Sequence, residues 1–184
     1  PLVGRLIVIS FLATFVFAGM ETRFAMWSRR QFGWWPEQNG YIFAFVGILS
    51  ATVQGGLIGR LAQPCREQAL LIAGALLLAV SMVLIPVSTG LALLLPAMAF
   101  AAFGFSLMTP SLNSLISKQV SAAMQGGTMR VTRPAGTLAR VVGPISAGGL
   151  FEYLGKDWPF WAGALVMGLV VALCYLLAMR SANP

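Results

Sequence analysis

Histidine is absent from this 184-residue sequence, and only 9% of its residues are charged. Without histidine there is no Ser-His catalytic pair and no metal triad of the usual imidazole kind. The two cysteines, Cys65 and Cys174, lie too far apart for metal-ligand spacing and suggest neither a bridge nor redox chemistry. No G-x-x-x-x-G-K-[ST] loop is present to cradle a nucleotide phosphate. Enzymatic chemistry and ATP-driven work within this chain are therefore not expected, and no cofactor is called for. The scarcity of charge excludes more still, because a soluble domain carries about 25% charged residues to face water.

What the chain has instead is apolar length. Hydrophobic residues make up 58% of it, and mean hydropathy is +0.84. A helix of about 20 apolar residues spans about 30 Å of hydrocarbon. By that measure six segments qualify, approximately residues 5–27, 40–59, 69–88, 91–116, 128–151 and 158–180. The links between them, such as "SRRQFGWWPEQN" and "RLAQPCREQ", are short and rich in Gly, Pro and charge. The expected fold is an all-α integral membrane protein, one transmembrane bundle over residues 1–184 with no room for a soluble domain. The first segment is too long for a cleaved signal peptide and carries Glu21 near its far end. The start at Pro1, without an initiator methionine, suggests a piece of a longer protein.

A net charge of +7 in a soluble protein would suggest nucleic-acid binding, but here the basic residues sit at segment ends, as the positive-inside rule requires. Placing the N-terminus in the cytoplasm puts Arg5, Arg60, Arg66, Lys118, Arg130 and Arg180 inside, against Arg29, Arg30 and Lys156 outside. Trp27, Trp34, Trp35, Trp158 and Trp161 then fall at the outer boundary, where interfacial aromatics are expected. The expected partner is a lipid bilayer, not a nucleic acid.

Glycine spacing adds organisation. Gly47, Ala51, Gly55 and Gly59 recur every four residues in the second segment, and Gly136, Ala139, Gly143, Ala147 and Gly148 do much the same in the fifth. Such small-residue stripes let helices approach closely. Each of these segments is the middle one of a group of three, and each carries a Gly-Gly pair, Gly55-Gly56 near the inner end and Gly148-Gly149 near the outer. That pattern predicts two three-helix repeats of inverted topology, an arrangement common among transporters. Close packing without transport accounts for the stripes equally well.

The stretches "FAMWSRRQFGW", "YIFAFVGILSATVQGGLIGRLA", "PSLNSLISKQV" followed by "QGG", and "GTLARVVGPISAGGLFEYLG" together resemble the C-terminal half of a major facilitator superfamily transporter, close to the drug and tetracycline proton antiporters. The resemblance runs along nearly the whole chain. It implies half of a twelve-helix fold, a missing N-terminal six-helix bundle, and a drug cavity between the two. It also implies a small-molecule substrate, protons as the coupling ion, and a multi-pass location in a bacterial inner membrane. Function then reads as proton-coupled efflux of amphipathic or cationic organic compounds by alternating access. The rival readings are a non-transporting six-helix scaffold that dimerises through the glycine stripes, and a pore made by two copies. Arg66, Arg130 and Arg133 stand where the family pattern has glycine or a small residue, which makes the inner gate atypical.

Two ionisable residues fall well inside the apolar segments, where a charge costs about 2.5–3.5 kcal/mol on insertion scales. They are Glu21 and Arg140, at depths of about 9 and 16 Å from the outer boundary at 1.5 Å per residue. A long arginine side chain bridges that difference, so the two are expected to face one interior region. They are either a substrate or proton site, or a structural pair locking two helices. Asn113, beside the Pro110 kink, and Gln54 are expected along the same pathway, or else as interhelical hydrogen-bonding residues. Gly55, Gly56, Gly59, Arg60, Pro110, Gly143, Pro144, Gly148 and Gly149 are expected to serve helix packing or gating. Arg23, Arg130 and Arg133 are expected to reach the headgroups. Phe11, Phe15, Met20, Phe103 and Met108 are candidates for an adaptable apolar lining, or plain core and lipid contacts.

Overall fold

A computed structural model describes residues 2–57, 67–119 and 125–182. Among these residues there are six α-helices and no strand: α1 (Leu2–Phe32), α2 (Pro36–Thr52, continued by a π-helical turn, Val53–Leu57), α3 (Glu67–Val87), α4 (Leu91–Gln119), α5 (Gln125–Tyr153) and α6 (Trp158–Ala182). Gly59, Arg60, Cys65 and Arg66 lie outside the described residues, as do the side chains of Arg130 and Arg133.

Local chemistry sets several boundaries. Gly33, at φ +70°, closes α1 with its N–H donating to the Arg29 carbonyl at 3.0 Å, a left-handed turn glycine adopts at little cost. Arg29 and Arg30 occupy that last turn, where positive charge complements the helix dipole. Pro36 then starts α2, and the Gln38 side chain accepts the Trp35 N–H at 3.0 Å. Gly155, at φ +118°, turns the chain between α5 and α6.

Among the described residues four helices are long and apolar enough to cross a membrane: Val3–Phe32, Glu67–Val87, Leu91–Lys118 and Trp158–Met179. Of the six expected spans, those of α2 and α5 are not among these four. The α-helical part of α2 has only 17 residues, and α5 dilutes its apolar content with Arg130, Arg133, Arg140 and several glycines.

The helices pack chiefly as α3 on α4, α1 on α5, α3 on α6, α1 on α6, α2 on α4 and α1 on α4. The core joins residues from every layer, including Ile9, Phe24, Leu78, Met82, Ala97, Met98, Phe160 and Met167, each fully enclosed. Glycine permits the closest approach at two seams. At α3/α4, a Cβ on Gly74 would stand 2.7 Å from the Gly104 carbonyl oxygen, and one on Gly104 would stand 2.7 Å from that of Gly74. At α1/α5, Gly143 lies against the Phe15 carbonyl, and Gly19 against Ala147.

The stripe in α2 behaves otherwise. Among the described residues nothing lies within 4 Å of a Cβ built on Gly47, Gly55 or Gly56. In α5 the stripe divides: Gly143 and Gly148 are packed, whereas Gly136 and Gly149 face open space.

Polar clasps tie the bundle at both ends. Glu67, the first residue of α3, accepts hydrogen bonds from Ser114 (2.6 Å) and Lys118 (2.8 Å) of α4. Asp157, just before α6, accepts the Trp27 indole N–H of α1 at 2.8 Å, while Lys156 donates to Gln31 of α1 at 2.5 Å. Trp27 is thus not an interfacial anchor as expected. It is fully buried, ringed by Phe24, Phe32 and Phe160, because Asp157 satisfies its one polar atom and frees the indole to fill the core. Ser28 and Asn39, bonded at 2.7 Å and both buried, pin α1 to α2.

Arg23 also departs from expectation. Its guanidinium does not turn to headgroups but wedges into the α1/α5 seam, donating to the Pro144 carbonyl at 3.3 Å and contacting the Met26 sulfur at 3.3 Å. A Cβ on Gly148 would collide with it, so Gly148 makes the space that the arginine fills. Its buried Nε has no acceptor among the described residues.

Two stability predictions follow from these seams. Gly104→Ala should destabilise the bundle by about 1–3 kcal/mol through overpacking, whereas Gly168→Ala, at a helical position with open space, should be neutral or stabilising by up to about 1 kcal/mol; thermal unfolding in detergent separates them. Gly148→Ala should lower the unfolding temperature of the wild-type background and cost clearly less in an Arg23→Ala background, which a double-mutant cycle measures.

Candidate functional site: a two-charge concavity on α1, α4 and α5

Glu21 and Arg140 are brought together, though not as an ion pair. Both line one open concavity of about 210 Å³ with Thr14, Phe17, Ala18, Thr22, Phe105 and Pro144. Its walls come from three helices. α1 contributes Thr14, Phe17, Ala18, Glu21 and Thr22, which recur at three- and four-residue spacing and so share one face. α4 contributes Phe105, and α5 contributes Arg140 and Pro144, one turn apart.

Phe17 and Phe105 form the apolar part. Their rings stack with centroids 4.1 Å apart and planes 8° from parallel where α1 meets α4. Around them sit two hydroxyls, a carboxylate and a guanidinium. The Thr22 hydroxyl is used locally, donating to the Ala18 carbonyl at 2.7 Å, which leaves its methyl and oxygen lone pairs to the concavity. Among the described residues the ion pairs are Glu67 with Lys118 and Asp157 with Lys156; neither Glu21 nor Arg140 takes part in one. Both are exposed in this chain, on an open wall instead of in the enclosed interior that their depth suggested.

Two other sequence candidates lie apart from this concavity. Gln54, in the π-helical turn, donates to Ser106 of α4 at 3.4 Å, an α2/α4 contact. Asn113 is exposed on α4. Gly55 and Gly56 belong to the same π-helical turn as Gln54, a distortion frequent at functional positions. Pro110 lies within α4 and Pro144 within α5. Having no N–H, Pro144 leaves the Arg140 carbonyl without its usual helical partner at the edge of the concavity.

The aromatic lining differs from the residues that sequence singled out. Met20 and Met108 are buried in the core, Phe15 packs against it and stacks with Phe11, and Phe103 packs on a small cluster of Val53, Leu70 and Leu107. Phe17 and Phe105 were missed. The one available signal was that Phe17 lies four residues before Glu21, on the same helix face; nothing in sequence pointed to Phe105.

A second groove, about 440 Å³, lies at the α1/α2 connection, with Met26, Arg29, Trp34, Trp35, Asn39 and Phe43 among its lining residues. Arg29 lies over the Trp35 ring at 5.7 Å. Among the described residues no group of His, Cys, Asp or Glu is placed to hold a metal ion.

Comparison with known proteins gives this geometry its context. The family model described as Major Facilitator Superfamily matches residues 1–144. Mouse "Major facilitator superfamily domain-containing protein 10" is 28% identical over 180 residues, covering 98% of this chain and 38% of that protein. "Tetracycline resistance protein, class D" from Salmonella ordonez is 26% identical over 175 residues, covering 94% of this chain and 44% of that protein. A solved structure, the "Crystal structure of the human organic anion transporter MFSD10 (TETRAN)", superposes with a TM-score of 0.87 at 27% identity, covering 94% of this chain and 40% of that one. The chain thus spans about two-fifths of the length of the relatives it matches. Its relatives are transporters and not enzymes, its helices are those of a multi-pass membrane protein, and the chain belongs to the Major Facilitator Superfamily.

Proposed function

We propose that this chain is the C-terminal six-helix bundle of a secondary active transporter that exports amphipathic or cationic organic compounds in exchange for protons, by alternating access. The carrying observation is the concavity itself: one carboxylate, one guanidinium and two threonines around a stacked phenylalanine pair, on an exposed face of the bundle. Charges at such depth are costly against acyl chains, so the reading has this face turned to a second bundle and a water-filled path. The glycines of α2, which have no close neighbour among the described residues, offer that second bundle a surface for close approach.

The reading includes two inverted three-helix repeats, α1–α3 and α4–α6. What supports it is the pairing pattern. Exchanging α1 with α4, α2 with α5 and α3 with α6 turns the α1/α5 contact into α4/α2, and α3/α4 into α6/α1, all of which occur. The clasps follow a similar exchange: an acid at the start of the third helix of each triplet accepts hydrogen bonds from near the end of the other triplet's first helix, Glu67 from Ser114 and Lys118 and Asp157 from Trp27, while Lys156 beside Asp157 reaches Gln31. The N-terminus of the segment is assigned to the cytoplasm on the basic-residue bias. A bacterial inner membrane is assigned on the bacterial resistance-protein relative; the mammalian relatives make a eukaryotic membrane the alternative.

Glu21 is assigned to the cationic substrate or the proton, and Arg140 to a second charge on the same substrate path. A second reading, export of organic anions with Arg140 as the recognition group, is favoured by the human structural relative, an organic anion transporter. A scaffold or two-copy pore has no comparable support, since the relatives are transporters.

Efflux assays on the full-length protein in proteoliposomes with an imposed pH gradient test this directly. Losing a charge-assisted contact worth about 1.5–3 kcal/mol should slow transport by about 10- to 100-fold. Under the first reading, Glu21→Gln slows efflux of a lipophilic cation by this factor; under the second, Arg140→Ala slows efflux of an organic anion. If both variants transport at the wild-type rate, the site assignment is wrong.

A further inference from the structure

Two opposite charges that line one concavity are expected to pair with one another. Here they do not. Glu21 and Arg140 line the same wall, yet no ion pair joins them, and the described ion pairs lie elsewhere. The stacked pair of Phe17 and Phe105 lines the same concavity, where α1 meets α4. Arg140 is held to one side by α5, whose position against α1 is fixed by the Gly143 and Gly148 contacts and by the Arg23 wedge. Glu21 projects from α1, one turn beyond Phe17. The result is an acceptor and a donor of full charge, both free, flanking an aromatic surface.

From this geometry we propose that the concavity takes a zwitterionic aromatic compound, with its ammonium on Glu21, its carboxylate or other anionic group on Arg140, and its ring on the Phe17–Phe105 face. The proposal rests on the transport reading above and narrows its substrate class. Each feature requires a part of the ligand. An uncompensated carboxylate favours a cation, and an uncompensated guanidinium favours an anion, which it engages with two parallel hydrogen bonds. A ligand carrying only one charge engages one of the two protein charges and leaves the other without a ligand partner, so it gains one charge-assisted contact where a zwitterion gains two. The stacked phenyl faces favour a further ring over a saturated one of equal size. Volume sets the scale: about 210 Å³ is below the roughly 300–1,000 Å³ of sites that enclose a drug-sized ligand. This wall therefore suits one ring with two short charged arms, or the corresponding part of a larger molecule.

Four probes of matched size separate the terms: 4-(aminomethyl)benzoate, with a ring and both charges; benzylamine, with the ring and the cation; benzoate, with the ring and the anion; and trans-4-(aminomethyl)cyclohexanecarboxylate, with both charges and no aromatic ring. Binding to the full-length protein in lipid nanodiscs is measured by equilibrium dialysis, so the result does not depend on turnover. The expected order places 4-(aminomethyl)benzoate at least about tenfold tighter than either singly charged probe and about three- to tenfold tighter than the saturated analogue. Glu21→Gln should erase its advantage over benzoate, and Arg140→Gln its advantage over benzylamine. Phe17→Leu combined with Phe105→Leu should erase only the advantage over the saturated ring. These are affinity ratios within one variant, so a change in the amount of folded protein cancels. Equal affinities for all four probes, absence of binding by all four, or ratios unmoved by the substitutions would overturn the proposal. Substrate-coupled proton flux in proteoliposomes reports separately on the transport reading, which survives a failed zwitterion preference and fails on its own if no flux accompanies any substrate.

Discussion

Close approach of helix backbones at a few glycines is the constraint on which the rest of this bundle depends. In lipid, apolar side chains gain little by leaving acyl chains for one another, so association relies on van der Waals contact and interhelical hydrogen bonds. Gly74 and Gly104 bring α3 and α4 together until each occupies the space a Cβ would need beside the other's carbonyl. Gly143 does the same for α5 against Phe15 of α1. The contact of α1 with α4 joins these two seams and brings α1, α4 and α5 around one concavity. Phe17 then meets Phe105, and Arg140 comes round to the wall that carries Glu21.

Polar side chains complete what glycine begins. The clasps of Glu67 and Asp157 lie at helix starts, where a carboxylate also complements the helix dipole, and each holds a pair of hydrogen-bonding groups from a neighbouring helix or its link. Ser28 and Asn39 satisfy each other inside the α1/α2 junction. Arg23 is the exception: it has five donors, yet its described acceptors are a carbonyl and a thioether. It stands where a spacer is required between α1 and α5, and its cost is accepted for the position it imposes on Pro144 and thereby on the turn that carries Arg140.

The functional surface is defined by what the bundle leaves uncovered. Among the described residues Gly47, Gly55 and Gly56 of α2 find no close neighbour, and Glu21, Arg140 and Asn113 are exposed, although Glu21 falls inside a helix long and apolar enough to cross a membrane. In a family whose members considerably exceed this chain in length, such a face is naturally read as one side of a path between two bundles. Substrate preference would then be written in the arrangement of two charges and two rings on this side, together with whatever the opposite side adds.

By itself the sequence determined the membrane character and the helical segments, through local composition and 3.6-residue periodicity, and its motifs carried the family resemblance. It also placed Glu21 and Arg140 in one region, though it expected an enclosed interior in place of the open wall on which they lie unpaired. It could not foresee that Trp27 turns inward, since that rests on Asp157, 130 residues away. Nor could it foresee that Arg23 leaves the headgroup region for a space vacated by Gly148, or that Phe17 finds Phe105. Only the tertiary structure decided these, because the rotation of each helix about its axis is set by which glycine faces which backbone, a relation between distant segments that no single segment records.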